Sequence, residues 1–284
     1  MARTTETPSQ PLVIVVGAGL GGLAAGIAIR LTGRYAVLVL ESAAELQEIG
    51  AGIQVSPNCT RLLERWGIAR YLEGKAVMPA CSRVCRWRDG AILSQARVGE
   101  DLQARFGAPY WHVHRADLHS ALLRRLEDLG GVLRTASHVV DADPAGDDRG
   151  QPSVTLRTGE VLACDFVVGA DGLRSKIREA VVVPGFGAVP RATGDYTFRF
   201  TVPAEELARD PALAEMAETP ITYSWWGPGR HVVAYMLRGG TVCNVVAIFP
   251  DDGTLGLESR GAGDIDEMKA AFRGWCPRCV ARPA

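Results

Sequence analysis

Three glycines pose the first chemical question. Gly17, Gly19 and Gly22 form a G-x-G-x-x-G pattern directly behind the apolar run at 11–16, and Glu41 follows 24 positions after Gly17. Glycines at this spacing permit a tight turn, close backbone approach to a pyrophosphate, and close packing of a helix on a strand. The N–H groups at the start of that helix then favour an anion. An acid placed as Glu41 is suits a ribose hydroxyl. The pattern alone would also serve a turn that only packs tightly, so its surroundings decide.

A second chemically able set lies downstream. In YTFRFT (196–201), strand alternation puts Tyr196, Phe198 and Phe200 on one face and Thr197, Arg199 and Thr201 on the other. Arg199, flanked by aromatic residues, can pair with a phenolate or carboxylate, or stand as an exposed strand residue. In RHVVAYML (230–237), His231 and Tyr235 share a face and could act together, although Tyr235 also suits a packed core. Tyr223, Trp225 and Trp226 either line the same cavity or fill the core of the sheet. The cysteines at 59, 81, 85, 164, 243, 276 and 279 suit reduced thiols, several of them in the core. Cys276 and Cys279 have C-x-x-C spacing but no second such pair, and no metal site is predicted.

These residues need elements to hold them. Residues 11–16 are continuously apolar, as in a parallel strand buried on both faces. A helix follows and stops at Gly33, and 35–40 make a second strand ending at Glu41. This βαβ context makes the glycine pattern a dinucleotide turn. Ser56-Pro57 starts a helix that Gly67 stops, and the preceding GAG (50–52) is another place where backbone can approach a ligand. A hairpin is predicted at 81–95 around Asp89-Gly90. A short strand then enters an amphipathic helix at 110–130, whose stripe is Leu118, Ala121, Leu122 and Leu126. From about 194 alternating strands predict an antiparallel sheet, turning at 227–229 and 238–240.

The bulk composition excludes several classes. With 284 residues, 47% hydrophobic, 22% charged and a net charge of -1, the chain suits a soluble globular protein and not a nucleic-acid or anionic-membrane binder. Its apolar runs are too short to span a bilayer, and the polar first ten residues lack the apolar core of a secretory signal. A cytoplasmic protein is expected.

Four segments together carry a family likeness: VVGAGLGGLAAGIAI, EIGAGIQVSPNCTRLLERWG, HRADLHSALL and FVVGADGLRSKIRE. With them the chain closely resembles the single-component, FAD-dependent aromatic monooxygenases, on the salicylate hydroxylase-like branch. The resemblance implies an α/β fold, with a Rossmann-type FAD-binding domain and a mixed or antiparallel β-sheet substrate domain. The expected layout is a flexible tail (1–10), an FAD-binding domain with an inserted hairpin (11–185) and a substrate-binding sheet region (186–284). Gly17, Gly19 and Gly22 would hold the FAD pyrophosphate, Glu41 its ribose, and Gly52 would approach the flavin through its backbone. Arg115, otherwise a surface arginine at a helix start, would contact FAD. Asp171 and Gly172, otherwise only a turn, would serve FAD and the reduced nicotinamide, with Ser175 and Arg178 completing the motif.

The implied activity is hydroxylation of a phenolic or aromatic acid with O₂. FAD and NADH or NADPH are the cofactors, and a flavin hydroperoxide delivers the oxygen. Arg199, Tyr235 and His231 are the catalytic candidates. A homodimer is compatible with this reading. Members of the family run on into a second motif of Gly-Asp-Ala-Ala-His type, which nothing after GDDR, GDYT or GDID matches. A C-terminally truncated form is therefore expected: a piece of a longer enzyme, or a short and catalytically impaired one that holds FAD poorly. An NAD-dependent Rossmann dehydrogenase is the other enzyme reading.

Overall fold

A computed structural model describes residues 10–46, 52–146, 150–182, 190–251 and 263–277. The strands in its first half are β1 (Leu12–Val16), β2 (Ala36–Leu40), β3 (Gly52–Val55), β4 (Cys81–Arg86), β5 (Ile92–Arg97), β6 (Trp111–His114), β7 (Val132–Arg134) and β8 (Val139–Asp143). Those that follow are β9 (Ser153–Leu156), β10 (Val161–Ala163), β11 (Phe166–Gly169), β12 (Asp195–Pro203), β13 (Ile221–Gly227), β14 (Arg230–Leu237) and β15 (Val242–Pro250). The helices are α1 (Leu20–Arg30), α2 (Pro57–Arg65), α3 (Glu100–Phe106), α4 (Arg115–Asp128), α5 (Lys176–Val181), α6 (Ala204–Arg209), α7 (Ala214–Glu218) and α8 (Ile265–Ala271).

The chain forms two compact units that do not follow it linearly. One gathers 1–48 and 118–190, the other 49–117 and 191–284. This differs from a boundary near 185. The hairpin β4–β5, expected inside the FAD-binding domain, instead extends the sheet of the second unit. Its cause is pairing no local signal announces: β4 lies parallel to β13, with Cys81 opposite Ile221 and Cys85 opposite Trp225.

The first unit carries a parallel sheet ordered β11-β1-β2-β7. β1 is apolar throughout because both its faces are covered. Val37 and Val39, which share a face with Val13 and Val15, meet α1 at Gly26, where Leu126 of α4 also packs. On the other face Ile14 and Val16 join Val139, Val154, Leu156 and Ile177 in a second core layer.

In the second unit six strands run β12-β15-β14-β13-β4-β5, and a two-stranded ribbon pairs β3 with β6. Alternation divides the large sheet. One face buries Tyr223, Trp225, Val232, Met236 and Phe249, with Leu207, Met216 and Phe272 of the helical segments packed on it. The other face carries Arg199, Asn244, His231 and Tyr235, fixed by the register Arg199–Val246–Val233 and Tyr235–Asn244–Thr201. Among the described residues no helix is long and apolar enough to cross a membrane.

Candidate functional site

In the first unit the glycine turn joins β1 to α1. Gly17 has φ +102°, and a Cβ there would overlap the Ala170 carbonyl. A Cβ on Gly22 would strike the Gly17 carbonyl oxygen. Packing inside the protein therefore accounts for both. It does not account for Gly19, which has an ordinary φ of -67° and would place a Cβ in open space. Gly19 is also the N-cap of α1 and brings no capping side chain. An open, side-chain-free helix start fits a phosphate group that must come close to the backbone. The turn thus fits the dinucleotide expected of it.

Glu41 sits at the end of β2, half-buried beside the turn. Its Oε2 accepts the Ala18 N–H at 2.8 Å, while Oε1 accepts from Ala43 N–H at 2.9 Å and the Ser42 hydroxyl at 3.0 Å. Burial pushes its pKa up, but these donors outweigh it and the net shift is downward, so the carboxylate is charged at neutral pH. The Asp171-Gly172 turn follows β11. Asp171 Oδ2 accepts the N–H groups of Lys176 (2.6 Å) and Ile177 (3.2 Å), and Oδ1 accepts the Ser175 hydroxyl (2.6 Å). Ser175 in turn accepts the Arg178 N–H at 2.9 Å, and Arg178 donates to the Leu173 carbonyl. The segment DGLRSKIR is thus a self-contained cap for α5, and it packs where Gly17 leaves no room for a side chain. Gly172, exposed like Leu173, Arg174 and Lys176, has φ +76°.

In the second unit the ribbon β3–β6 brings Gly52 to β14 and β15. The Gly52 N–H donates to Asn244 Oδ1 at 2.9 Å, and a Cβ on Gly52 would lie 2.7 Å from the Tyr235 ring. Its N–H is therefore committed within the unit, and its missing side chain makes room for Tyr235. Asn244 is fully buried, and its Nδ2 has no hydrogen-bond partner among the described residues. His112 of β6 lies 4.4 Å from Tyr235, ring centre to ring centre, with Nε2 3.1 Å from the Thr222 hydroxyl. Burial depresses the His112 pKa to about 3, against a weaker upward pull from a bond to the Met236 backbone. Tyr235 moves up to about 12 through burial and the nearby Tyr110, while the positive charge of Arg199 pulls it down. Both rings are therefore neutral at ordinary pH.

The catalytic candidates separate on this face. Arg199 is exposed yet close enough to act on Tyr235 electrostatically. His231 lies four residues from Tyr235 along β14, about 13 Å away by strand rise, beside Trp226 and Ile248. The aromatic residues that alternate with Arg199 face the opposite way: Phe198 stacks on Phe249 at 5.5 Å in the core. Tyr223 and Trp225 stack there too, at 5.4 Å, and so fill the core; exposed Trp226 is on the Arg199 side. Arg115 opens α4 immediately after β6, half-buried. Cys81, Cys85, Cys164, Cys243 and Cys276 are buried, and Cys279 lies outside the described residues.

Residues 11–217 match the family described as FAD binding domain. The chain belongs to the FAD-dependent aromatic monooxygenase family. The FAD-dependent monooxygenase OpS4 of Beauveria bassiana is 41% identical over 270 residues, which cover 94% of this chain and 62% of OpS4. A 3-hydroxybenzoate 6-hydroxylase of Polaromonas naphthalenivorans is 33% identical, over 96% of this chain and 65% of that enzyme. The solved structure of CtdE with FAD and a substrate superposes with a TM-score of 0.82 at 19% identity, covering 96% and 65% of the two chains. That likeness supports the fold alone. The chain thus spans less than two thirds of the length of each of these proteins.

Family membership leaves the dehydrogenase reading unsupported. Three residues that contact the candidates or the glycine turn carry no motif of their own: His112 beside Tyr235, Asn244 on Gly52 and His119 on Ala18. His119 is buried on α4, and its Nε2 lies 2.7 Å from the Ala18 carbonyl. A signal for it existed. It stands three residues before Leu122 on the apolar stripe, and a buried imidazole there needs a polar partner.

Proposed function

We propose that this chain forms the FAD-binding and substrate-sheet part of a monooxygenase that hydroxylates a phenolic or aromatic acid, with NADH or NADPH as reductant. The observation that carries the reading is Gly19: an open, uncapped helix start in a chain of this family, kept free of a side chain for no reason internal to the protein. Gly17, Gly19, Gly22 and Glu41 would hold the cofactor's dinucleotide end, and Gly52, Arg115, Asp171 and Gly172 are the further candidates along it. Bound FAD supplies the redox and oxygen chemistry that no side chain offers.

The sheet face supplies what the substrate needs. The Arg199 guanidinium suits a carboxylate or phenolate oxygen, and half-buried Val233 and Val246 give an apolar surface between it and Tyr235. With its pKa raised to about 12, the Tyr235 phenol remains protonated and serves as a donor, not a base. His231, two residue pairs further along, bounds the far end of this face. A 3-hydroxybenzoate 6-hydroxylase among the relatives supports a phenolic acid as substrate class.

The test is direct. Purified protein supplied with FAD should show a bound-flavin spectrum, and 3-hydroxybenzoate or salicylate should speed its NAD(P)H oxidation. Arg199→Met should raise the KM for a carboxylated phenol about tenfold or more, with a smaller change for a phenol lacking the carboxylate. No flavin uptake by the wild type would overturn the reading.

A further inference from the structure

The glycine turn contains one residue, Ala18, whose two neighbouring peptide groups are held from opposite directions. Glu41, 23 positions away, takes the Ala18 N–H at 2.8 Å. His119, 101 positions away on α4, meets the Ala18 carbonyl at 2.7 Å through Nε2. A carbonyl oxygen only accepts, so Nε2 carries the proton and donates. Both His119 and Ala18 are buried, at 5% and 1% exposure, so water does not compete for this bond.

We propose that His119 is a positioning residue for the FAD pyrophosphate, rather than only a packed core residue. The geometry of a planar trans peptide carries the argument. The Ala18 carbonyl and the Gly19 N–H belong to one peptide group and point in opposite directions. The described peptides are all trans. Fixing the carbonyl on a buried imidazole of α4 therefore aims the Gly19 N–H the opposite way, away from α4 and at the start of α1, where Gly19 adds no side chain. Without this bond the Gly17–Ala18–Gly19 segment, with a glycine on each side, is free to turn that N–H elsewhere. Glu41 cannot substitute, since it holds the preceding peptide. His119 thus sets the direction of an anion-binding donor that it never touches, and α4 supplies part of the cofactor geometry from beneath the turn.

The proposal rests on FAD binding at this turn, and the test separates the two. The 284-residue wild type, His119→Leu and His119→Gln are titrated with FAD and with ADP, following flavin fluorescence and calorimetry, and each apoprotein is melted. The leucine keeps bulk without a donor, and the glutamine keeps an N–H of similar reach. His119→Leu is expected to weaken FAD and ADP by a similar factor, about tenfold, well below its melting temperature, with recovery in His119→Gln. A lowered apoprotein melting point with an unchanged FAD dissociation constant would overturn the proposal and leave His119 as packing alone. Equal loss in the leucine and glutamine variants would also overturn it. Failure of the wild type to take up FAD or ADP would remove the cofactor assignment itself, and the proposal with it.

Discussion

Two glycines of one motif answer to different forces, and a pair of substitutions separates them. Gly19→Ala meets no atom and has a favourable φ, so the apoprotein should melt no lower than wild type while FAD affinity falls about tenfold or more. Gly22→Ala drives a methyl into the Gly17 carbonyl and should lower the melting temperature by several degrees, on the order of 2 kcal/mol, as well as abolish FAD uptake. Differential scanning fluorimetry with and without FAD measures both. In the second unit, Asn244→Leu removes the only described acceptor of the Gly52 N–H. Leaving that donor unpaired should cost about 1–3 kcal/mol in a urea titration. The orphan Nδ2 of Asn244 offsets part of this, since the leucine also removes a buried unpaired donor.

The ribbon β3–β6 places its own pH dependence on the second unit. His112 is neutral in the fold, with a pKa near 3, whereas an unfolded histidine titrates near its ordinary value of 6.5. Between those values the unfolded chain binds a proton that the folded chain does not, so stability falls as the pH drops below about 6.5 and is flat above it. His114, also lowered by burial, adds in the same direction. All six tryptophans lie at 66, 87, 111, 225, 226 and 275, inside the second unit, so their fluorescence during urea unfolding reads this unit directly. His112→Gln should flatten the loss between pH 6.5 and 4.5; an unchanged slope would remove His112 as its source. How far such features were legible depends on distance along the chain. The strand–glycine–helix–strand unit and the alternation of β12 and β14 are local, and periodicity marks them. The partners of Glu41, Asp171 and Gly52 are not: a motif gives a residue's type and place, but which donor reaches a carboxylate is settled by packing. The β4–β13 pairing was invisible for the same reason. Arg83 finds the Tyr223 hydroxyl across 140 residues, and neither strand's own sequence names the other.

At the scale of the whole molecule, the two units interrupt each other in the chain. A polypeptide ending at 190 would contain every strand of the first unit but only β3–β6 of the second, without the four strands that complete its sheet. Limited proteolysis with mass spectrometry should then cut such a chain freely within 49–117 while 10–46 and 118–182 stay protected; in the full chain 81–97 should resist as well. The same interruption has a temporal side. β1 leaves the ribosome well before its neighbour β11 is made: the Leu12 N–H is bonded to Asp165, 153 residues on. At roughly 5–20 residues per second the nascent chain carries LVIVV for about 8–30 s before that partner exists. The strand behind the glycine turn thus waits with one of its two edges unpaired through that interval, and that edge is what a chaperone would shield.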